Sequence, residues 1–396
     1  MTGKRKEKKQ DVICRTKRSR WLWILELDCL CLVVALNVLA WKSNIFCDWY
    51  AARVLPLWVG SYGRLTGLAP FSVGEWMIVL LLVLLALAIV LILPAILARH
   101  RAAGRWIRRF YQFLGCLVLP VCLLMTLNCT ILYHCTRLTE KVSDTVREQG
   151  IETEEGGLPA GYTARDLLDI YELMVERSND LALKMSRDAD GNVMYEEDMW
   201  KQAVEYLHGQ AERYPRLKGY YPRTKEIRNS WFLSQQYIAG YYFPFSMESN
   251  INSVMYIMNK PFTICHELVH IHGYIYEDEA NYLAYVACVE SGNPMFEYSA
   301  YLGVMGYVYR DLAGYVEQGR ISADDIPRMS ERVWLDSVFL TEEAWDKVEK
   351  QSFLNTESVE KATDVAMDAS LKWNGVANGI DSYSDVVLLL LEYYAQ

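Results

Sequence analysis

Histidine is scarce in this chain, at six of 396 residues, and disulfide chemistry has little to work with. Of ten cysteines, seven (Cys29, Cys31, Cys47, Cys116, Cys122, Cys129 and Cys135) lie in or beside long apolar stretches, where they act most simply as small apolar residues. Cys14 sits in a basic tail, which leaves only Cys265 and Cys288 elsewhere. That excludes a disulfide framework, and no CxxC pair offers a structural zinc site. Basic charge is also thin towards the C-terminus: residues 111–396 hold 23 Lys/Arg against 43 Asp/Glu, whereas residues 1–110 hold 17 against 6. An acidic back half argues against nucleic acid as a partner, because phosphate binding needs clustered Lys/Arg. Internal repeats and low-complexity blocks are absent too.

What the front half does hold is apolar length. Three stretches, about 21–41, 73–98 and 111–133, each reach roughly the 20 residues that span a bilayer as a helix. Trp21, Trp23, Trp41, Trp76, Tyr111 and Tyr133 flank them as interfacial anchors do. A removable signal peptide is the rival for the first stretch, but its run is long for that and two more spans follow. Nine Lys/Arg precede Trp21, and Arg99, Arg101, Arg105, Arg108 and Arg109 crowd the short loop between the second and third stretches. The loop 42–72 holds only Lys42, Arg53 and Arg64. Positive charge collects on the cytoplasmic side, so the expected topology puts the N-terminus inside and everything after the third span outside. Glu26 and Asp28 lie near the start of the first span, where interfacial placement or a polar contact between spans accounts for them.

The expected organisation is a basic cytoplasmic tail (1–20), a membrane region (21–135), a polar linker (136–160) and an extracytoplasmic domain (161–396). In that domain "TARD" at 163–166 reads as a helix start with Thr163 as cap. Further helices are expected over 196–213 and 224–236. Aromatic and β-branched residues then suggest strands at 238–247 and 252–258, with Pro244 confining the first to an edge or bulge. Pro261 and Thr263 open a histidine-bearing helix, another helix runs from about 277 to 290, and Thr341 caps a later one. "SYSDVVLLLLEYY" is too short to span a membrane and reads as a buried core helix.

Three of the six histidines fall in "HELVHIHGYIYEDEAN", residues 266–281. His266 and His270 are four apart, so on a helix their imidazoles meet one ion from the same side. Glu267 stands beside the first. This is HExxH, the two-histidine zinc pattern with a glutamate general base. Neutral imidazoles hold Zn²⁺ without cancelling its charge, the bound water ionises near neutral pH, and the carboxylate carries its proton to the leaving amine. A catalytic zinc takes a third protein ligand and keeps one position open. Glu277 is the preferred third ligand, because Asn281 follows one turn later and can hold a ligand histidine. Glu279 is the alternative and otherwise faces solvent or a neighbouring helix. His272 lies on another face and is expected to be a hydrogen-bonding or surface group. Gly273 suits the end of the helix. Tyr298, Tyr301 or Arg310 could stabilise an oxyanion, with Tyr298 the first choice.

"HELVHIHGYIYEDEANYLAYVAC" resembles the HExxH…ExEAN segment of a bacterial membrane-protein family known as domain of unknown function 3810. The resemblance extends through "GYYFPFSMESNINS", "PFTICHE", "FEYSAYL" and "LKWNGVANGIDSYSDVVLLLLEYY", and with the apolar spans covers nearly the whole chain. It implies a zinc metallopeptidase similar to gluzincins, with His266, His270 and Glu277 as ligands and Glu267 as base. Asn281 stands where many gluzincins have Asp, and the spacing from His270 to Glu277 is short for that group. The metzincin pattern is matched up to Gly273, but Tyr276 takes its last position.

The expected fold is therefore mainly α: an α+β zincin-like catalytic domain with a small sheet, preceded by three transmembrane helices in a bacterial plasma membrane. The expected cofactor is Zn²⁺, and the expected partners are the lipid bilayer and a peptide or protein substrate. A zincin binds its substrate along an edge strand, and "YYFPFSMES" (241–249) is the candidate. The acidic surface disfavours an anionic polymer as substrate. The rival is an inactive metal-binding membrane scaffold or ligand-binding module. An intramembrane protease is disfavoured, since too much charge flanks the motif.

Overall fold

The computed structural model describes residues 24–97, 102–140, 162–374, 376 and 385–395. The basic tail, Trp21, Trp23, Arg99, Arg101, most of the expected linker and most of "NGVANGIDSYSD" lie outside the described residues. The structure is mainly helical with one small sheet.

Among the described residues, three helices are long and apolar enough to cross a membrane: α1 (Ile24–Lys42), α3 (Val73–Leu97) and α4 (Ala102–Met125), which continues irregularly as part of the apolar run Gly104–Glu140. α4 starts earlier than expected, so Arg105, Arg108 and Arg109 belong to its first turns. Asn37 Nδ2 donates to Thr126 Oγ1 at 2.9 Å, and the Tyr111 hydroxyl donates to the Ala88 carbonyl at 2.5 Å, tying the three together. The Cys116 thiol donates to Glu26 at 2.7 Å, a polar contact between spans.

The segment 42–72 is helical rather than a plain loop. α2 (Asn44–Arg53), capped by Ser43, leads into short turns as far as Gly67. Its inner residues Tyr50, Leu55 and Val59 form a core with Ile131 and Leu132 from the end of the third span and with Met247, Ile271 and Ile275 from the domain beyond. One apolar core therefore joins the membrane region to the histidine-bearing helix.

The larger core lies further out. α5 (Ala164–Ala182) opens with the expected capping box between Thr163 and Asp166, and α6 (Met199–Gly209) follows. The expected helix over 224–236 is replaced by β1 (Lys225–Ile227) and a short helix Ser230–Gln235, because β1 finds a parallel partner in β3. β2 (Gly240–Phe243) and β3 (Glu248–Asn252) pair antiparallel, and the sheet order is β1-β3-β2. The second strand ends sooner than expected, and Ile257–Asn259 is a 3₁₀ turn. α7 (Lys260–Ile271), α8 (Glu277–Val289) and α9 (Pro294–Glu317) pack on one another, and α9 packs on α5. Thr341 caps Glu342–Gln351 as expected. α10 (Val386–Ala395) is largely buried against α8.

Candidate metal centre

α7 carries His266, Glu267 and His270, and α8 begins with Glu277. Between them the chain turns at Gly273, where φ is +84°, the left-handed region that glycine enters at little cost. A Cβ there would also lie 2.7 Å from Leu55 of the segment after α1, so the same residue ends the helix and admits the membrane-side core. Arg216 holds the turn: its guanidinium donates to the Gly273 carbonyl at 3.2 Å and lies 3.7 Å over the Tyr274 ring. The turn brings the α8 N-terminus back over the histidines.

The result is a three-cornered cluster. His266 Nε2 and His270 Nε2 are 3.0 Å apart; Glu277 Oε2 is 3.0 Å from the first, and Oε1 is 3.6 Å from the second. A tetrahedral zinc with ligand bonds of about 2.0–2.1 Å separates its ligands by roughly 3.3 Å, so these spacings bracket what the ion requires. His270 Nδ1–H donates to the Tyr274 carbonyl at 2.8 Å, which fixes the tautomer and leaves Nε2 free to ligate. Asn281 interacts with His266, but His266 Nδ1 has no hydrogen-bond partner among the described residues. The donor set and its orientation fit zinc. The Glu277 side chain stays 27% exposed, enough to leave the cluster open on one side.

Charge in the cluster follows from proximity. Burial opposes ionisation of Glu277, but the two imidazoles outweigh it and hold the carboxyl well below the usual carboxylate range. Burial, with a smaller push from the Glu277 charge, drives Glu267 the other way, up to about 8 against the pull of His270. Glu267 is 3% exposed and its Oε2 has no hydrogen-bond partner. A buried carboxyl oxygen without a partner is costly unless something else meets it there. Gly240 of β2 lies directly against it: a Cβ at Gly240 would be 2.7 Å from Glu267 Oε1.

The remaining candidates divide. Glu279 is buried rather than facing solvent, and its carboxylate accepts from the Leu138 N–H at 2.6 Å. His272 is buried: its Nδ1 bonds the Arg216 carbonyl at 2.6 Å and its ring stacks on Tyr221. Tyr298 is not brought to the cluster; its hydroxyl donates to Asp336 at 3.0 Å, in a buried group where Arg187 also binds Asp336. Tyr301 packs against Tyr285. Arg310 lies over the ring of Tyr307, and Tyr307 is the residue the sequence reading passed over. Its phenol, raised by burial and by the Glu277 charge, interacts with Asn281. Tyr307 is half a helical rotation from Tyr298, on the α9 face where Gly303 meets Phe262 of α7. Helical phasing from Gly303 was the available signal. A cavity of about 820 Å³, lined by residues including Leu302, Tyr309 and Trp334, lies on another face of α9 and contains none of the cluster.

The exit of the third span grips the start of α8. The Tyr276 hydroxyl donates to the Tyr133 carbonyl, Arg137 pairs with Asp278 at 2.8 Å, and Leu138 bonds Glu279. These three residues surround Glu277 in sequence.

No curated protein and no solved structure matches the chain. The family described as "Protein of unknown function (DUF3810)" matches residues 50–391, from α2 through the His266, His270 and Glu277 cluster to α10. The chain belongs to that family.

Proposed function

We propose that this protein is a membrane-anchored zinc metallopeptidase with a zincin-like domain on the outer face of a bacterial plasma membrane. The observation that carries the reading is the triangle of His266, His270 and Glu277 donors, with the buried carboxyl of Glu267, whose Oε2 has no hydrogen-bond partner, beside it. The three donors would hold Zn²⁺, which polarises a carbonyl and makes water a nucleophile near neutral pH. Glu267 takes one proton from the attacking water. The water oxygen bonds to the peptide carbonyl carbon, the C–N bond breaks, and Glu267 passes the proton to the departing nitrogen. Tyr274, through its carbonyl, keeps His270 in the ligating tautomer. Tyr307, whose phenol feels the Glu277 charge and interacts with Asn281, is the hydroxyl we assign to developing negative charge.

The test uses the full chain in detergent or vesicles. Bound metal is measured by mass spectrometry, and peptide hydrolysis is followed with a random-sequence peptide pool. About one zinc per chain is expected, lost in His270→Ala and kept in Glu267→Gln, whose turnover should fall by about 10²–10⁴-fold. Equal turnover in Glu267→Gln would sink the reading.

A further inference from the structure

β2 is an edge strand whose outer side is unpaired among the described residues. Asn252 N–H donates to the Ala239 carbonyl at 2.7 Å. The alternation of an antiparallel ladder then turns the backbone groups of Tyr241 and Phe243 towards β3, and those of Gly240 and Tyr242 towards the free edge. Gly240 touches Glu267, so this edge passes directly beside the catalytic carboxylate. The ring of Tyr242 lies 6.4 Å from that of His270.

The other end of the strand rests on the membrane region. A Cβ on Gly74, in the first turn of α3, would lie 2.6 Å from the Phe243 ring, so only glycine lets the strand sit this close to the span. Glu248, the first residue of β3, caps the same span: Gly74 N–H donates to its carboxylate at 2.8 Å and Val73 N–H at 3.2 Å. The loop joining β2 to β3 is held from below, with Asn128 Nδ2 donating to the Pro244 carbonyl at 2.8 Å and the Tyr62 hydroxyl to the Phe245 carbonyl at 2.7 Å. Leu65, Leu68, Phe71 and Trp76 are exposed around the head of this span, a belt suited to a lipid–water boundary. From Gly240 to Phe243 an extended chain covers about 10 Å. A peptide laid along β2 with its reacting bond at Glu267 therefore reaches the head of α3 within about three residues.

We propose that the substrate is a polypeptide itself anchored in the same bilayer, bound as an extended juxtamembrane stretch along β2 and cut within a few residues of the membrane surface. The proposal rests on the metallopeptidase reading. A site built for freely diffusing chains has no need of a binding edge that ends on the wall of its own anchor. The backbone of Gly240 and Tyr242 supplies register by main-chain hydrogen bonds, which tolerate many side chains. Selection then comes from distance to the membrane.

The test reconstitutes the full chain with zinc in phosphatidylethanolamine–phosphatidylglycerol vesicles. Three random-sequence peptide pools are compared: one with a palmitoyl group at one end, one with a Gly/Ser spacer of about 15 residues between anchor and random stretch, and one free in solution. The spacer pool shares the surface concentration of the first, so mere enrichment at the membrane cannot separate them. Cuts are mapped by mass spectrometry, with Glu267→Gln as the background. The expected result is cleavage confined to about the first six residues from the anchor, at least about tenfold slower cleavage of the spacer pool's random stretch, and little of the free pool. Cleavage of all three pools at comparable rates would overturn this inference and leave the metallopeptidase reading standing. No cleavage of any pool by a chain that holds zinc would overturn both.

Discussion

At the scale of single residues, the cluster depends on contacts too short to survive an added methyl. Gly240→Ala places a Cβ against Glu267 and the Asn250 carbonyl, both under 3 Å away, so strand or carboxylate must shift. Zinc content should be retained, turnover should fall, and stability should drop by about 1–3 kcal/mol, measured by metal analysis and thermal melting of the same sample. Asp311 makes a separate prediction about pH. Burial and, further down, Asp385 push its carboxyl from 3.8 up to about 6, against the pull of Arg310. Between those values the folded chain keeps a proton that the unfolded chain has lost, so stability falls as pH rises through this window. Melting temperatures taken across it should decline in the parent protein and decline less steeply in Asp311→Asn, where Asp278 and Glu279 still contribute; parallel curves would contradict the assignment.

At the scale of elements, the ligand helices are positioned by their neighbours. Arg137 lies 20% exposed against an almost fully buried Asp278, one residue from Glu277. Arg137→Ala leaves that carboxylate unpaired at the start of α8, and zinc affinity should weaken by about 10–100-fold in a chelator competition. The α7 and α8 ends were readable in sequence because their signals are local: Pro261, Gly273, and carboxylates at a helix start. The capping box at Thr163 was readable for the same reason. The short strand β1 was not, since Lys225–Ile227 becomes a strand only by pairing with β3, more than twenty positions away. The helices of 42–72 were hidden because their apolar residues face Met247, Ile271 and Ile275, partners the sequence does not set beside them. Tyr298, the first choice among the tyrosines, could not be told from a packing residue in sequence, because Asp336, which binds its hydroxyl and is itself held by Arg187, lies 38 positions away.

At the scale of the whole molecule, the expected division between anchor and enzyme runs through packed structure. A fragment starting at residue 137 would lose Tyr50, Leu55, Val59, Ile131 and Leu132 and bare the apolar end of α7. It would also lose the Tyr133 carbonyl that holds Tyr276 and the span head that Glu248 caps, leaving Glu248 and its buried partner Lys225 at a new surface. Such a fragment is expected to aggregate or to bind zinc at least about tenfold more weakly than the full chain, as titration calorimetry of both would show. The shared core also has a consequence in time. The ribosome makes the membrane-side half of that core long before Ile271 and Ile275, and the third ligand follows later still. A nascent chain halted before α8 therefore has the apolar helices and half of the shared core but not Glu277, and the three-cornered cluster comes into being only once that mounting has been made.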